Sequence, residues 1–440
     1  MKLKIKNFGP IQKGEIDLNK RFYVFVGYNN SGKTYMAQLI WELGRVFKQK
    51  SVADFGKLEG KDLTEADLAT IVGAYSRFLR EEELSKMMTI GKDHFVLSDM
   101  ELEFDGELLE EFTKQTYKML YSTEEGSLVL EKKEGKNSLT LDGRIPKERR
   151  EGLCWQLLIE SLFSSEKKFF LPANRSFYPS FYKYLFSTSK MELDKINEIL
   201  LNDNDTEKIK ALSKRPYTKA MDELITKMYG LNNEVTIKES YQDLLVRLKE
   251  IMGGEIIAKS TEGIAPIEFF LRLQGDKELD MYLASSASNQ LTALYLYLKY
   301  WADENNNFLI IDEPEENLHP KSQLDLLNIL LTFVNRNNNR VLISTHSPLM
   351  TDAVNNYMYL CYLKSEGVKL SKEIKEHPLL NTDIDLRLED FGIYFFDGKT
   401  IIPYEFGEYG VAFKDFDIER RRIRDLQSQL TDQIYDHLNP

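Results

Sequence analysis

Phe22-Tyr23-Val24-Phe25-Val26-Gly27-Tyr28-Asn29-Asn30-Ser31-Gly32-Lys33-Thr34 is the stretch from which the remainder of the chain can be read. Its first five residues form an unbroken apolar run, the mark of a strand buried on both faces. From Thr34 to Phe47 the residues Met36, Leu39, Ile40, Leu43 and Val46 recur at helical spacing. Strand, glycine-rich turn and helix therefore follow one another within about 25 residues, the nucleus of an α/β domain. The turn fits G-x-x-x-x-G-K-[ST] in full, in the strand-then-helix context that the motif requires. Its glycines let consecutive backbone N–H groups converge on phosphate oxygens, and the helix N-terminus adds partial positive charge. Gly27, Asn29, Asn30, Ser31, Gly32, Lys33 and Thr34 are thus candidate phosphate-binding residues, Lys33 reaching the β/γ oxygens and Thr34 supplying a hydroxyl to Mg²⁺.

Before this nucleus, alternation in Lys2–Lys6 and Glu15–Leu18 predicts two half-exposed strands joined by a Gly9-Pro10 turn. After it, residues 49–165 change character, with strand segments expected around Phe95–Leu97 and Ser127–Leu130, and read as an inserted α+β lobe. Phe169–Pro172 returns to a core strand, so 1–48 and 166–180 read as parts of one α/β head. Residues 181–254 are helical and charged, including Met191–Leu201 and Leu244–Met252, a helical arm or cap closed by Gly253-Gly254. Over 255–365 strands return at Glu255–Ala258, Ile267–Leu273, Leu279–Leu283, Phe308–Ile311 and Val341–Ser344. Helices are expected at about Asn289–Trp301 and Lys321–Val334. Apolar runs separated by helices imply a parallel sheet covered on both faces. Residues 366–440 read as a C-terminal region ending in a charged helix, Asp417–Leu438, with Ile418, Ile423, Leu426, Leu430 and Ile434 near one face.

Asp312 and Glu313 follow a buried strand directly. A carboxylate at the carboxyl end of such a strand can hold a magnesium-associated water, so Asp312 is the expected metal-positioning residue. Glu313, beside it, is the expected group that orients or polarises an attacking water. Lys33 and Asp312 are 279 positions apart, which suits a head split by inserted lobes.

Asp312-Glu313-Pro314-Glu315-Glu316-Asn317-Leu318-His319-Pro320 resembles the extended Walker B and D-loop of ABC-type ATPases of the SMC/RecF/OLD group, especially the stand-alone AAA15/AAA21 branch. Asn7-Phe8-Gly9-Pro10-Ile11 and the loop Gly27–Thr34 are similar to that branch too. The resemblance implies an α/β fold, a P-loop NTPase head of ABC/SMC type with an inserted α+β lobe and a helical arm or cap. It also implies ATP and Mg²⁺ as ligands, hydrolysis of ATP, and pairing of two heads around ATP. Ala284–Gln290 resembles the signature motif, which implies that Ser285 meets the γ-phosphate held by a partner head; the usual second glycine is Ala287 here. Val341–Pro348 resembles the switch segment, which makes His346 a second catalytic candidate. Leu171-Pro172-Ala173-Asn174-Arg175 resembles the segment that carries the Q-loop in transporters, without its glutamine, and leaves Asn174 and Arg175 as nucleotide-binding candidates.

The 440 residues carry 58 Lys and Arg against 70 Asp and Glu, a net charge of −12, which argues against a surface uniformly adapted to the DNA backbone. Two cysteines, Cys154 and Cys361, and five scattered histidines build neither a disulfide framework nor a local zinc site. No apolar run is long enough to cross a bilayer and the N-terminus lacks a signal-peptide pattern, so a cytoplasmic protein without membrane contact is expected. OLD-type nucleases append a metal-dependent nuclease. Here Asp203/Asp205, Asp383/Asp385 and Asp415/Asp417 follow no obvious apolar strand, so a nuclease within the chain is not expected. The chain looks like the ATPase subunits of prokaryotic anti-phage systems such as Septu or PARIS, which act with a separate effector protein such as a nuclease. The alternative is an ATP-gated DNA-binding clamp of RecF/SMC type.

Overall fold

The structure is a computed structural model that describes residues 1–45, 58, 60–84, 101–105, 108–114, 116–123, 126–143, 147–163, 166–181, 218–231, 240–259, 268–407 and 410–438. In chain order the elements are β1 (Lys2–Phe8), β2 (Ile11–Asp17), β3 (Phe22–Gly27), α1 (Lys33–Glu42), α2 (Glu65–Phe78), β4 (Glu101–Asp105), α3 (Leu108–Lys114), β5 (Tyr117–Thr123), β6 (Gly126–Lys132), β7 (Thr140–Gly143), α4 (Lys147–Phe163) and β8 (Lys167–Leu171). There follow α5 (Lys219–Tyr229), α6 (Gln242–Met252), β9 (Gly254–Lys259), β10 (Glu268–Leu273), β11 (Glu278–Asp280), α7 (Ser286–Leu296), β12 (Asn307–Asp312), α8 (Pro320–Val334), β13 (Arg340–Thr345), α9 (Pro348–Ser365), α10 (Lys372–Lys375), β14 (Phe391–Phe396), β15 (Ile401–Tyr404) and α11 (Lys414–Leu438).

The central sheet has the order β15-β14-β3-β13-β12-β8, with β15 antiparallel and the others parallel. Side chains alternate across a strand, so β3 divides between two cores. Phe22, Val24 and Val26 join Leu309, Ile311, Val341 and Ile343 beneath α5 to α9. Tyr23 and Phe25 join Phe308, Ile310 and Leu342 under α1, the β1–β2 hairpin, α2 and α4. Each buried strand thereby reads as continuously apolar, as a doubly covered parallel sheet requires. Three further sheets, β2-β1-β4, β11-β10-β9 and β5-β6-β7, surround it.

Several expectations shift. The first helix stops at Glu42, where Leu43 turns to extended backbone and Gly44, at φ +78°, donates its N–H to the Tyr75 hydroxyl at 2.7 Å. β11 ends at Asp280 and Met281–Leu283 form a 3₁₀ turn; α7 starts at Ser286 and runs into a π-helical turn, Tyr297–Trp301. The boundary expected at 48/49 is crossed by β4, which pairs antiparallel with β1. The one expected at 365/366 is crossed by β14 and β15, which lie in the central sheet beside β3. Phe95–Leu97 and Met191–Leu201 lie outside the described residues. Among the described residues no helix is long and apolar enough to cross a membrane.

Candidate functional site

The loop after β3 is shaped by two glycines that no other residue could replace without rearrangement. Gly27 has φ +143°, and a Cβ there would lie 2.1 Å from the Phe396 carbonyl oxygen of β14. That carbonyl accepts the Tyr28 N–H at 3.2 Å, so the C-terminal strand fixes the start of the loop. Gly32 has φ +98°, and its added Cβ would meet Ile11 at 2.8 Å and Pro10 at 3.2 Å, so the tip of the β1–β2 hairpin presses on the loop's end. Left-handed or unusual backbone of this kind is open to glycine at little cost. Asn30 is also left-handed, at φ +58°, a conformation Asn tolerates.

Lys33 opens α1 and is buried, its Nζ donating to the loop carbonyls of Tyr28 at 2.8 Å and Gly27 at 3.2 Å. Burial pushes its ammonium down to about 8, against the pull of Asp312, Glu313 and Glu315. Ser31 carries a buried hydroxyl with no hydrogen-bond partner among the described residues. These residues line an open cleft of about 860 Å³ with Pro10, Asn29, Asn30, Thr34, Tyr35, Glu313 and His346, within the size range of ligand pockets.

Parallel pairing aligns Asp312 with Ser344 at the carboxyl ends of β12 and β13. Thr34 Oγ1 donates to Asp312 Oδ2 at 2.8 Å and Ser344 Oγ donates to Asp312 Oδ1. The two halves of the head, 278 residues apart, thus meet on one carboxylate. Glu313 follows at φ +48°, held by its N–H donating to Ser344 O and Ser344 Oγ, both at 3.1 Å. A non-glycine residue kept in this region is a sign of backbone constrained by its surroundings. Its carboxylate lies 3.5 Å from His346 Nε2, long for a hydrogen bond. Burial, then the neighbouring carboxylates Asp312, Glu315 and Glu316, push Glu313 above the usual carboxylate range, while Lys33 opposes. Burial and Lys33 hold His346 below its ordinary value, against the pull of Asp312, which favours the neutral imidazole.

Ser344 and Glu315 belong to the site although neither was singled out from sequence. Glu315 Oε1 accepts from Thr345 Oγ1 at 2.6 Å, the His346 N–H at 2.8 Å and the Ser347 N–H at 3.2 Å, and so holds the turn that presents His346. Arg175 takes a place other than the expected nucleotide contact. It is fully buried, and its guanidinium donates to the carbonyls of Asp312 at 2.7 Å, Pro172 at 3.0 Å, Glu313 at 3.1 Å and Gln290 at 3.1 Å. With its donors turned onto main chain, Arg175 ties α7 to the Asp312–Glu313 turn. Asn174, beside it, is exposed. Ser285 is exposed as the N-cap of α7, accepting the Ser288 N–H at 3.1 Å, and does not line the cleft of its own chain.

The residues present fit a nucleoside triphosphate with Mg²⁺. The glycine-shaped loop, the buried lysine and the unpartnered Ser31 hydroxyl suit phosphate oxygens. Among the described residues no cluster of three or more His, Cys, Asp and Glu forms an all-protein cage. Thr34 and Asp312 instead offer the one or two protein oxygens that Mg²⁺ takes alongside phosphate and water.

The family model described as AAA ATPase domain (AAA_15) matches residues 1–246 and 173–351. No curated protein matches the chain. Similar solved structures include an Smc head domain with an extended coiled coil, bound to the C-terminal domain of ScpA, from Pyrococcus furiosus: 13% identity, 97% of this chain, 98% of that chain, TM-score 0.37. Another is the SMC head domain from Thermotoga maritima: 13% identity, 92% of this chain, 98% of that chain, TM-score 0.31.

Proposed function

The chain belongs to the AAA_15 family of AAA ATPase domains, and from that premise we propose that it binds and hydrolyses ATP at the cleft between the Gly27–Thr34 loop and the ends of β12 and β13. The observation that carries this reading is the contact of Thr34 with Asp312, which brings the phosphate-binding loop and the metal-positioning carboxylate together at an open cleft. Bound Mg²⁺ would neutralise charge developing on the transferred phosphate. Thr34 and Asp312 would hold the metal; Lys33 would leave its loop carbonyls for the β/γ oxygens. Glu313, in its ionised form, would accept a hydrogen bond from the attacking water, and His346 beside it, whose neutral form is favoured, would orient that water or the γ-phosphate.

Two heads would close on the nucleotide, Ser285 of one completing the pocket of the other. Its exposure at a helix N-cap, outside its own cleft, supports this role. The closed pair would signal to a separate effector, in prokaryotic anti-phage defence. A mixing experiment tests the shared site. Lys33→Ala and Ser285→Arg proteins are each expected to be inactive. Their mixture regains turnover, because a mixed pair contains one pocket made wholly of unaltered parts. A mixture as inactive as its components overturns the shared pocket, and ATP binding by the Lys33→Ala protein equal to that of the parent overturns the nucleotide site itself. Salt-sensitive duplex binding that appears only with ATP would favour the DNA-clamp reading instead.

A further inference from the structure

Beyond β15 the chain is pinned before it leaves the body. Asn355 on α9 donates from Nδ2 to the Val411 carbonyl at 2.9 Å and accepts the Val411 N–H on Oδ1 at 2.8 Å. Gly410, at φ +74°, lies so close that a Cβ would come within 2.7 Å of the Tyr359 hydroxyl, and Phe413 is buried against Tyr404. From this root α11 runs for 25 residues. Every residue from Arg421 to Thr431 is exposed, including Ile423 at 60%, Leu426 at 56% and Leu430 at 51%. A helix gains most of its stability from packing an apolar face, and the apolar residues of this stretch are left exposed. Positions 423, 426, 430 and 434 carry apolar residues at the three- and four-residue spacing of a coiled-coil seam.

The charge along α11 says what covers the seam. Residues 414–424 hold five Lys and Arg against three Asp and Glu, net +2; residues 425–438 hold three Asp and no Lys or Arg, net −3. Two such helices side by side in parallel set like charge against like; antiparallel, each basic half faces an acidic half. We propose that α11 pairs antiparallel with α11 of a second copy of this chain, Leu426 of each packing on Leu430 of the other. In that register position 423 faces position 433, and the arginine-rich turn of one copy lies beside Asp432 and Asp436 of the other. The seam is short, so the pairing is concentration-dependent. Its consequence is to hold two heads together without nucleotide, so that closure on ATP becomes an intramolecular step at high effective concentration. That consequence rests on the paired-head reading; the contact itself does not.

The test therefore uses the Lys33→Ala protein without nucleotide. Its mass by sedimentation equilibrium is expected to rise with concentration toward twice 51.3 kDa. Leu426→Asp with Leu430→Asp is expected to weaken association by about tenfold or more. Arg421→Glu with Arg424→Glu leaves the apolar seam intact and is expected to weaken it as well. Orientation is read by oxidation: proteins carrying Ile423→Cys and Gln433→Cys cross-link when mixed and not singly, the native Cys154 and Cys361 being buried. A monomer at every concentration, unchanged association of the Asp variant or of the Glu variant, or self-cross-linking of Ile423→Cys overturns the proposal.

Discussion

The two ends of the central sheet both hold buried cations, and they use them in opposite ways. At the amino ends of β8 and β13, Lys168 donates to the carbonyls of Ile40, Leu43 and Phe163, closing the C-terminal ends of α1 and α4. Burial drives its ammonium down to about 7. Arg340, largely buried, pairs with Glu166 and donates to the carbonyls of Lys20 and Leu18 and to the Tyr23 hydroxyl. Every partner there belongs to the chain itself. At the carboxyl ends, Lys33 rests on two loop carbonyls at the rim of an open cleft, the Ser31 hydroxyl has no partner among the described residues, and Glu313 lines the same space. Saturated polar groups stabilise a fold, whereas groups with capacity to spare beside solvent are available to a ligand.

Substitutions at the two ends should therefore separate cleanly. Glu313→Gln is expected to lower ATP turnover by about 10²–10⁴-fold while leaving nucleotide binding and thermal stability near those of the parent; phosphate release and a melting curve check it, and ordinary turnover would remove Glu313 from the mechanism. Arg340→Met leaves Glu166 buried without its partner and is expected to cost roughly 3–5 kcal/mol of stability by denaturant unfolding, with nucleotide affinity unchanged wherever the protein is folded. A matching fall in affinity would erase the distinction drawn between the two ends.

A smaller effect is expected from Ser344→Ala, which removes one hydrogen bond to the Asp312 carboxylate. Such bonds contribute about 1.5–3 kcal/mol, so turnover at limiting Mg²⁺ should fall roughly 10- to 100-fold and recover in part at high Mg²⁺. The smallest is a displacement in pH. The water-orienting role proposed for Glu313 needs its carboxylate ionised, and its proton affinity is raised in the folded protein. Activity is thus expected above its folded pKa and expected to be lost as pH falls through it, at a pH above the ordinary 4.5 of a glutamate. Asp312→Asn removes the second largest cause of that shift, so any residual activity should show its acid limb moved to lower pH. An acid limb that stays in place would assign it to another group.

What sequence made legible follows from how local each feature is. The Phe22–Thr34 segment is strand, loop and helix in one continuous run, and Asp312 ends an apolar strand; both declare themselves without knowledge of neighbours. Ser344 acquires its role only through the register that sets it beside Asp312. Glu315 acquires its role only because the turn after Glu313 carries it back to the backbone of His346 and Ser347. Arg175 was singled out as a nucleotide contact through the resemblance of Leu171–Arg175 to a Q-loop segment, but that its partners are carbonyls from three different segments is a tertiary fact. β14 was missed because six apolar residues between polar stretches carry no period that distinguishes a sheet strand from other buried chain. The terminal helix was recognised from its apolar stripe, whose residues at 423, 426 and 430 are exposed.

The position of β3 in the sheet has a consequence for how the molecule is made. Both neighbours of this strand come late in the chain: β13 begins at residue 340 and β14 at residue 391. At roughly 5–20 residues per second, a ribosome that has finished Phe22 needs about 15–65 s to reach Arg340. Throughout that interval one of the most apolar segments of the protein is a nascent strand with no edge to join, and its glycine-shaped loop cannot close until Phe396 has been synthesised. Birth of this protein is thus a period of exposure that ends only when the C-terminal third of the chain supplies both neighbours of β3.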